Sequence, residues 1–131
     1  KLVEIGARMG GDCIASHLVP FSTGIDLVTA TIKQACGDEP DILNKCSCGS
    51  AIRYINTSSG KIQSISGIEK ALTITGVKAV ILNKSVGEYS TEICNSTDRI
   101  GYVIAQGNDV DSAIQACSDA LNCINLVIKH P

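Results

Sequence analysis

Apolar residues along the chain follow two different periods. Leu2, Val3, Ile5 and Ala7 lie among residues that read as a strand, and Gly10-Gly11 breaks that run. A short apolar stretch from Ile14 to Val19 stops near Pro20. From Gly24 to about Ala35, the residues Ile25, Val28, Ile32 and Ala35 recur at helical spacing, with Ser22 or Thr23 placed to cap the helix and Gly37 to end it. Asp38 to Gly49 is polar, contains Pro40 and follows neither period, so it reads as a linker.

Past the linker the period shortens. Ala51–Ile55 and Ile62–Ile65, separated by Thr57-Ser58-Ser59-Gly60, read as a β-hairpin. Gly67–Leu72 suits a short helix, Val77–Leu82 a strong strand, Tyr89–Ile93 a weaker one and Arg99–Ala105 another. Asn95-Ser96-Thr97-Asp98 marks a turn. Asp109 caps a helix over Val110–Cys123 whose buried stripe is Val110, Ala113, Ile114, Cys117 and Leu121, and Asn125–Ile128 closes as a strand. The expected fold is α+β: a strand plus helices over 1–37, a linker over 38–49, and a small antiparallel sheet domain with one long helix over 50–131. An opening strand needs a partner for its main-chain groups, so the sequence predicts a missing N-terminal portion. It also predicts that the isolated chain forms a homodimer through that bare edge.

Composition narrows the classes of function. The 131 residues carry 11 Lys plus Arg against 13 Asp plus Glu, with the basic residues scattered, which argues against nucleic acid and acidic membranes as partners. No apolar run approaches the roughly 20 residues needed to cross a bilayer, and no leader opens the chain. Seven cysteines without a regular framework read as free thiols in a reducing, cytoplasmic setting. Cys46-Ser47-Cys48 is the one close pair, either a metal-binding couple or a loop with two thiols. With one Phe, three Tyr and no Trp, the core rests on Ile, Val, Leu and Ala, and base-stacking platforms are excluded.

Candidate chemistry concentrates at the start. On a strand, Glu4 and Arg8 share a face because side chains alternate. A carboxylate suits Mg²⁺, which takes oxygen ligands together with substrate phosphates. A guanidinium grips a phosphoryl oxygen pair with parallel hydrogen bonds. Gly10 and Gly11 offer backbone that a ligand can approach closely, or simply a tight turn. By spacing alone, Glu4 and Arg8 also suit a plain ion pair.

The run Glu4-Ile5-Gly6-Ala7-Arg8-Met9-Gly10-Gly11-Asp12, continued by Ile14, Ser16, Leu18-Val19-Pro20 and Ser22-Thr23-Gly24, resembles the closing segment of ATP-grasp ligases. The branch it resembles includes L-amino acid ligases and phosphoribosylglycinamide synthetase-like enzymes. The resemblance extends through Ala51-Ile52-Arg53-Tyr54, Gly60-Lys61-Ile62 and Asp98-Arg99-Ile100-Gly101-Tyr102-Val103, so it covers most of the chain. It implies a two-step ligation in which ATP phosphorylates a carboxylate and an amine attacks the acyl phosphate. It also implies Glu4 as a Mg²⁺ ligand and Arg8 as the contact to phosphate or the acyl phosphate; Gly10 and Gly11, whose backbone a ligand can approach, are read with Arg8 as cofactor-binding. Many such enzymes carry Asn two residues after the Glu; here Gly6 stands there and supplies no ligand. The ATP cleft would lie before Lys1, so the resemblance implies a fragment that is inactive alone and holds no cofactor by itself.

Three further readings compete. Cys13 and His17 are spaced for a nucleophile and base, although no third group orients the histidine. Asp12 and Ser16 suit either an amine-substrate pocket or a braced turn. The whole chain also reads as a self-standing α+β interaction or regulatory module in which Glu4 and Arg8 only pair with each other.

Overall fold

The computed structural model describes residues 5–130, and by its contacts the chain divides into two compact units on either side of Cys48 and Gly49. In the first unit, residues 5–8 are irregular and Ile5 is 80% exposed, so the expected strand is absent over its described part. An extended segment persists only when its main-chain groups are paired, and Gly6 adds flexibility without a side chain to pack. Among the described residues, the edge that was to drive dimerisation is therefore not formed. Leu2, Val3 and Glu4 lie outside the described residues.

After Gly11, Asp12 and Cys13 both take left-handed backbone, at φ 49° and 64°. They lead into a single π-helical turn, Ile14–Leu18, which continues as α1, Val19–Thr23. Pro20 does not stop this helix. It sits in the first turn, where no intrahelical partner is asked of its nitrogen. Ser22 and Thr23 turn their hydroxyls back onto the carbonyls of Leu18 and Val19, at 2.8 and 2.7 Å, rather than capping the next helix. The cap of α2, Leu27–Cys36, is Asp26, whose Oδ1 accepts from the Thr29 N–H at 3.0 Å. This helix buries Ala30 and leaves Ile32 exposed, so the burial is offset from the expected stripe. It ends at Gly37, as its sequence predicts. The polar segment beyond returns to α1: the N–H groups of Lys45 and Cys46 donate to the Thr23 carbonyl and that of Cys48 to the Ser22 carbonyl. Gly24 permits the approach, because at φ 74° a Cβ there would lie 2.8 Å from the Lys45 Cβ.

The second unit holds β1 (Gly49–Ile55), β2 (Gly60–Ser66), α3 (Ile68–Leu72), β3 (Val77–Leu82), β4 (Tyr89–Ser90), β5 (Gly101–Gly107), α4 (Val110–Cys123) and β6 (Asn125–Lys129). Two antiparallel three-stranded sheets form, ordered β1-β5-β3 and β4-β2-β6. The expected β1–β2 hairpin is therefore not made. β1 pairs with β5 and β2 with β6, both distant in sequence, and local alternation carries no record of such partners. The strand expected at Tyr89–Ile93 shrinks to Tyr89–Ser90, because Asn95 and Asp98 claim the following backbone: Asp98 Oδ2 accepts from the Cys94 and Asn95 N–H groups.

Small residues set how closely α4 lies on the first sheet. Ala51, Val103 and Ala105 face Ala113, Ala116, Cys117 and Ala120, all buried. The Cys117 thiol reaches the carbonyls of Ala51 and Val103 at 3.5 and 3.6 Å, and burial pushes it up from its ordinary titration range. Val110 departs from the expected stripe and is 57% exposed, since it occupies the first turn beyond the sheet contact. A second cluster, Ile55, Ile62 and Ile100 with Leu121, Ile124 and Leu126, fills the space between the two sheets. Among the described residues no helix is long and apolar enough to cross a membrane.

Candidate functional site

Three of the four site residues picked out from the sequence gather around one open cavity in the first unit. Gly6, Arg8, Gly10, Gly11 and Ile14 line a hollow of about 280 Å³. Glu4, the proposed metal ligand, lies outside the described residues. Arg8 is exposed, and its Nη1 donates to the carbonyl of Met9 at 3.1 Å, which turns the guanidinium along its own loop. The two glycines differ. A Cβ on Gly10 would press on the Ile14 side chain at 3.1 Å, so a larger residue there requires Ile14 to shift by a few tenths of an ångström. A Cβ on Gly11 would meet nothing within 4 Å, so its backbone is open for something else to approach.

The loop after the glycines explains the local geometry. Two consecutive non-glycine residues in left-handed backbone, Asp12 and Cys13, reverse the chain and start the π-helical turn. Sequence reading missed this strain, although Gly-Gly-Asp is a turn signal. The same turn settles who accompanies His17. Its Nδ1 is hydrogen-bonded to Ser16 Oγ at 2.8 Å, and its ring tilts against Phe21 at 6.2 Å. Cys13 meets His17 through the backbone, its carbonyl accepting the His17 N–H at 2.9 Å. The neighbour of the imidazole is thus a hydroxyl next to it in sequence.

A larger cleft of about 440 Å³ opens in the second unit, lined by Tyr54, Asn56, Thr57 and Asn125 together with the apolar Leu121 and Ile124. Its lining is uncharged among the described residues, which suits a phosphate poorly. Next to it, Tyr54 stands edge-on to its cross-strand partner Tyr102 at 6.4 Å, and Arg99 Cζ lies 3.9 Å from the Tyr54 ring centre. Volume favours the second cleft, whereas a cationic fork and open backbone favour the first. Charge decides for an anionic ligand, so the Arg8 cavity is the candidate site.

Metal fit is limited. Among the described residues no group of three His, Cys, Asp or Glu side chains is placed to hold an ion. The Cys46–Cys48 pair has no such third ligand within that set.

Comparison with known proteins places these features. Residues 53–129, more than half of the chain, match the family model described as L-amino acid ligase C-terminal domain 2. An uncharacterized protein, y4rH, of Sinorhizobium fredii (strain NBRC 101917 / NGR234) is 28% identical over 125 residues, covering 92% of this chain and 26% of its own length. Phosphoribosylglycinamide synthetase from Anaerococcus prevotii superposes with a TM-score of 0.79 at 21% identity, over 93% of this chain and 32% of that one. L-amino acid ligase from Bacillus licheniformis gives 0.74 at 18% identity, over 95% and 32%. The chain thus spans about a third of the length of these solved structures and about a quarter of the curated relative.

Proposed function

We propose, from the premise that this chain belongs to the L-amino acid ligase C-terminal domain 2 family and has the fold of the C-terminal part of an ATP-grasp ligase, that its full-length parent is an ATP-dependent carboxylate–amine ligase. The reaction is phosphorylation of a carboxylate by ATP, followed by attack of an amine on the acyl phosphate and release of phosphate. An amino acid as one substrate is favoured by the family name. The single observation that carries the site assignment is the cavity that brings Arg8 together with Gly10 and Gly11.

In this reading Arg8 swings from the Met9 carbonyl to hold two oxygens of the transferring phosphoryl group, neutralising charge as it develops. The open face of Gly11 lets main chain lie against the phosphate, while Gly10 keeps Ile14 in place beneath it. Mg²⁺, when bound, would offset the charge of the phosphates, and Glu4 would supply one oxygen ligand to it. Gly6 supplies none, so the remaining ligands come from phosphate, water and residues outside this chain. In this reading the adenine pocket belongs to the rest of the parent, and the chain alone is expected to turn over no ATP.

The test is steady-state ADP release by the full-length protein with Mg²⁺ and amino acids. Arg8→Ala is expected to lower kcat by about 100- to 1,000-fold, the range for losing one preorganised charge contact. Arg8→Lys keeps the charge without the two-pronged grip and falls between. An Arg8→Ala enzyme with unchanged kcat would refute the assignment.

A further inference from the structure

The uncharged cleft of the second unit takes no part in the Arg8 site, yet its walls come from ordered elements. β1 ends there with Tyr54 and Ile55, α4 contributes Leu121, and β6 begins there with Asn125 and Leu126. Pairing fixes both strands: Ile55 lies opposite Gly101, and Leu126 opposite Ile65. Ile55 is buried in the apolar cluster against which Leu121, Ile124 and Leu126 pack, so the apolar part of the lining is held by the core itself. The volume of about 440 Å³ falls within the roughly 300–1,000 Å³ of small-molecule sites.

Asn56, Thr57 and Asn125 supply the polar part, and among the described residues none of these side chains has a hydrogen-bond partner. That combination selects a ligand by its chemistry. A charged group would enter without a counter-charge, and a purely apolar one would strip water from three polar side chains and return no hydrogen bond. Each Asn amide holds a carbonyl acceptor and an NH₂ donor side by side, and the Thr57 hydroxyl turns to serve as either. Their complement is a neutral group with both functions, which an amide provides. A stacked planar base fits less well, because Tyr54 is the only ring in the lining and Arg99 lies over it, with Cζ 3.9 Å from the ring centre.

We propose that this cleft is a binding site for small uncharged amides that carry a branched apolar group, the chemistry of an amino acid blocked at both ends. The apolar group packs against Leu121, Ile124 and Leu126, and the amide exchanges hydrogen bonds with Asn56, Thr57 and Asn125. The cleft shares no lining residue with the Arg8 cavity, so the assignment holds whatever reaction the parent performs.

The test is calorimetric titration of the full-length protein with N-acetyl-L-leucinamide, beside its charged relatives N-acetyl-L-leucine and L-leucinamide, with amide hydrogen exchange to map the bound form. A ligand of about a dozen non-hydrogen atoms should bind with a Kd of about 1 mM, and more tightly than either charged relative. At saturation, exchange should slow at residues 54–57 and 121–126. Asn56→Ala should weaken binding about two- to tenfold, the loss of one neutral hydrogen bond, with the thermal melt unchanged. Asn125→Asp keeps the shape and replaces the amide by a negative charge, so it should weaken N-acetyl-L-leucinamide and strengthen the cationic L-leucinamide, an exchange of preference that a general loss of structure does not produce. No saturable heat, protection confined to residues outside those two stretches, or a preference that Asn125→Asp leaves unchanged would overturn the assignment.

Discussion

At the scale of single residues, the two neighbouring glycines separate packing from function. A side chain at Gly10 would have to shift Ile14, whereas a Cβ at Gly11 meets nothing among the described residues. Gly11→Ala should therefore unfold at the same temperature as the parent or slightly higher, because its φ is not left-handed and alanine restricts the unfolded chain. If the full-length parent is the proposed ligase and a phosphate lies against Gly11, the same methyl intrudes on it and KM for ATP should rise. Paired thermal melts and kinetics check this; unchanged KM would remove Gly11 from the site. Arg8, Gly10 and Gly11 could be singled out from the sequence, because charge type and glycine pairs are written in it, and all three line one cavity. The Ser16–His17 hydrogen bond and the two left-handed residues were not, since both depend on how the chain turns after Gly11.

Among the elements, α4 shows what local sequence determines. Asp109 accepts from the Ser112 N–H at 2.7 Å and Ser112 Oγ accepts from the Asp109 N–H at 3.1 Å, a reciprocal cap set entirely by neighbouring residues. Those Ser112 hydrogen bonds, backbone first and side chain second, hold the Asp109 carboxyl below its ordinary value of 3.8. A depressed carboxylate stabilises the fold above that value, and the contribution is lost as pH falls below 3.8 through the folded titration point. Protection of the Ser112 amide, measured relative to its intrinsic exchange rate at each pH, should fall on acidification through that window, and Asp109→Asn, which still caps, should flatten the response. A variant with the same acid response as the parent would contradict the assignment. Helix ends such as this one and Gly37 were readable, as was β3. The pairing of β1 with β5 and β2 with β6 was not, because a strand's pattern specifies which face is buried and leaves its distant partner open.

For the whole molecule, the family match and the candidate chemistry fall in different units. Residues 53–129 lie in the second unit, whereas Arg8, Gly10 and Gly11 lie in the first. The fold of both is that of the C-terminal part of ATP-grasp ligases, and about two thirds of the solved relatives' length lies outside the matched region. That division explains why composition and periodicity gave the α+β class without the reaction, and why the functional reading rested on the opening motif. The measurement that bears most directly on the central claim is trapping of the acyl phosphate with hydroxylamine. Full-length protein supplied with ATP, Mg²⁺ and an amino acid should form the amino acid hydroxamate. The same protein with Arg8→Ala, and the 131-residue chain alone, should form none above background. Hydroxamate formed equally well by the Arg8→Ala protein, or none formed by the parent across the common amino acids, would contradict the account.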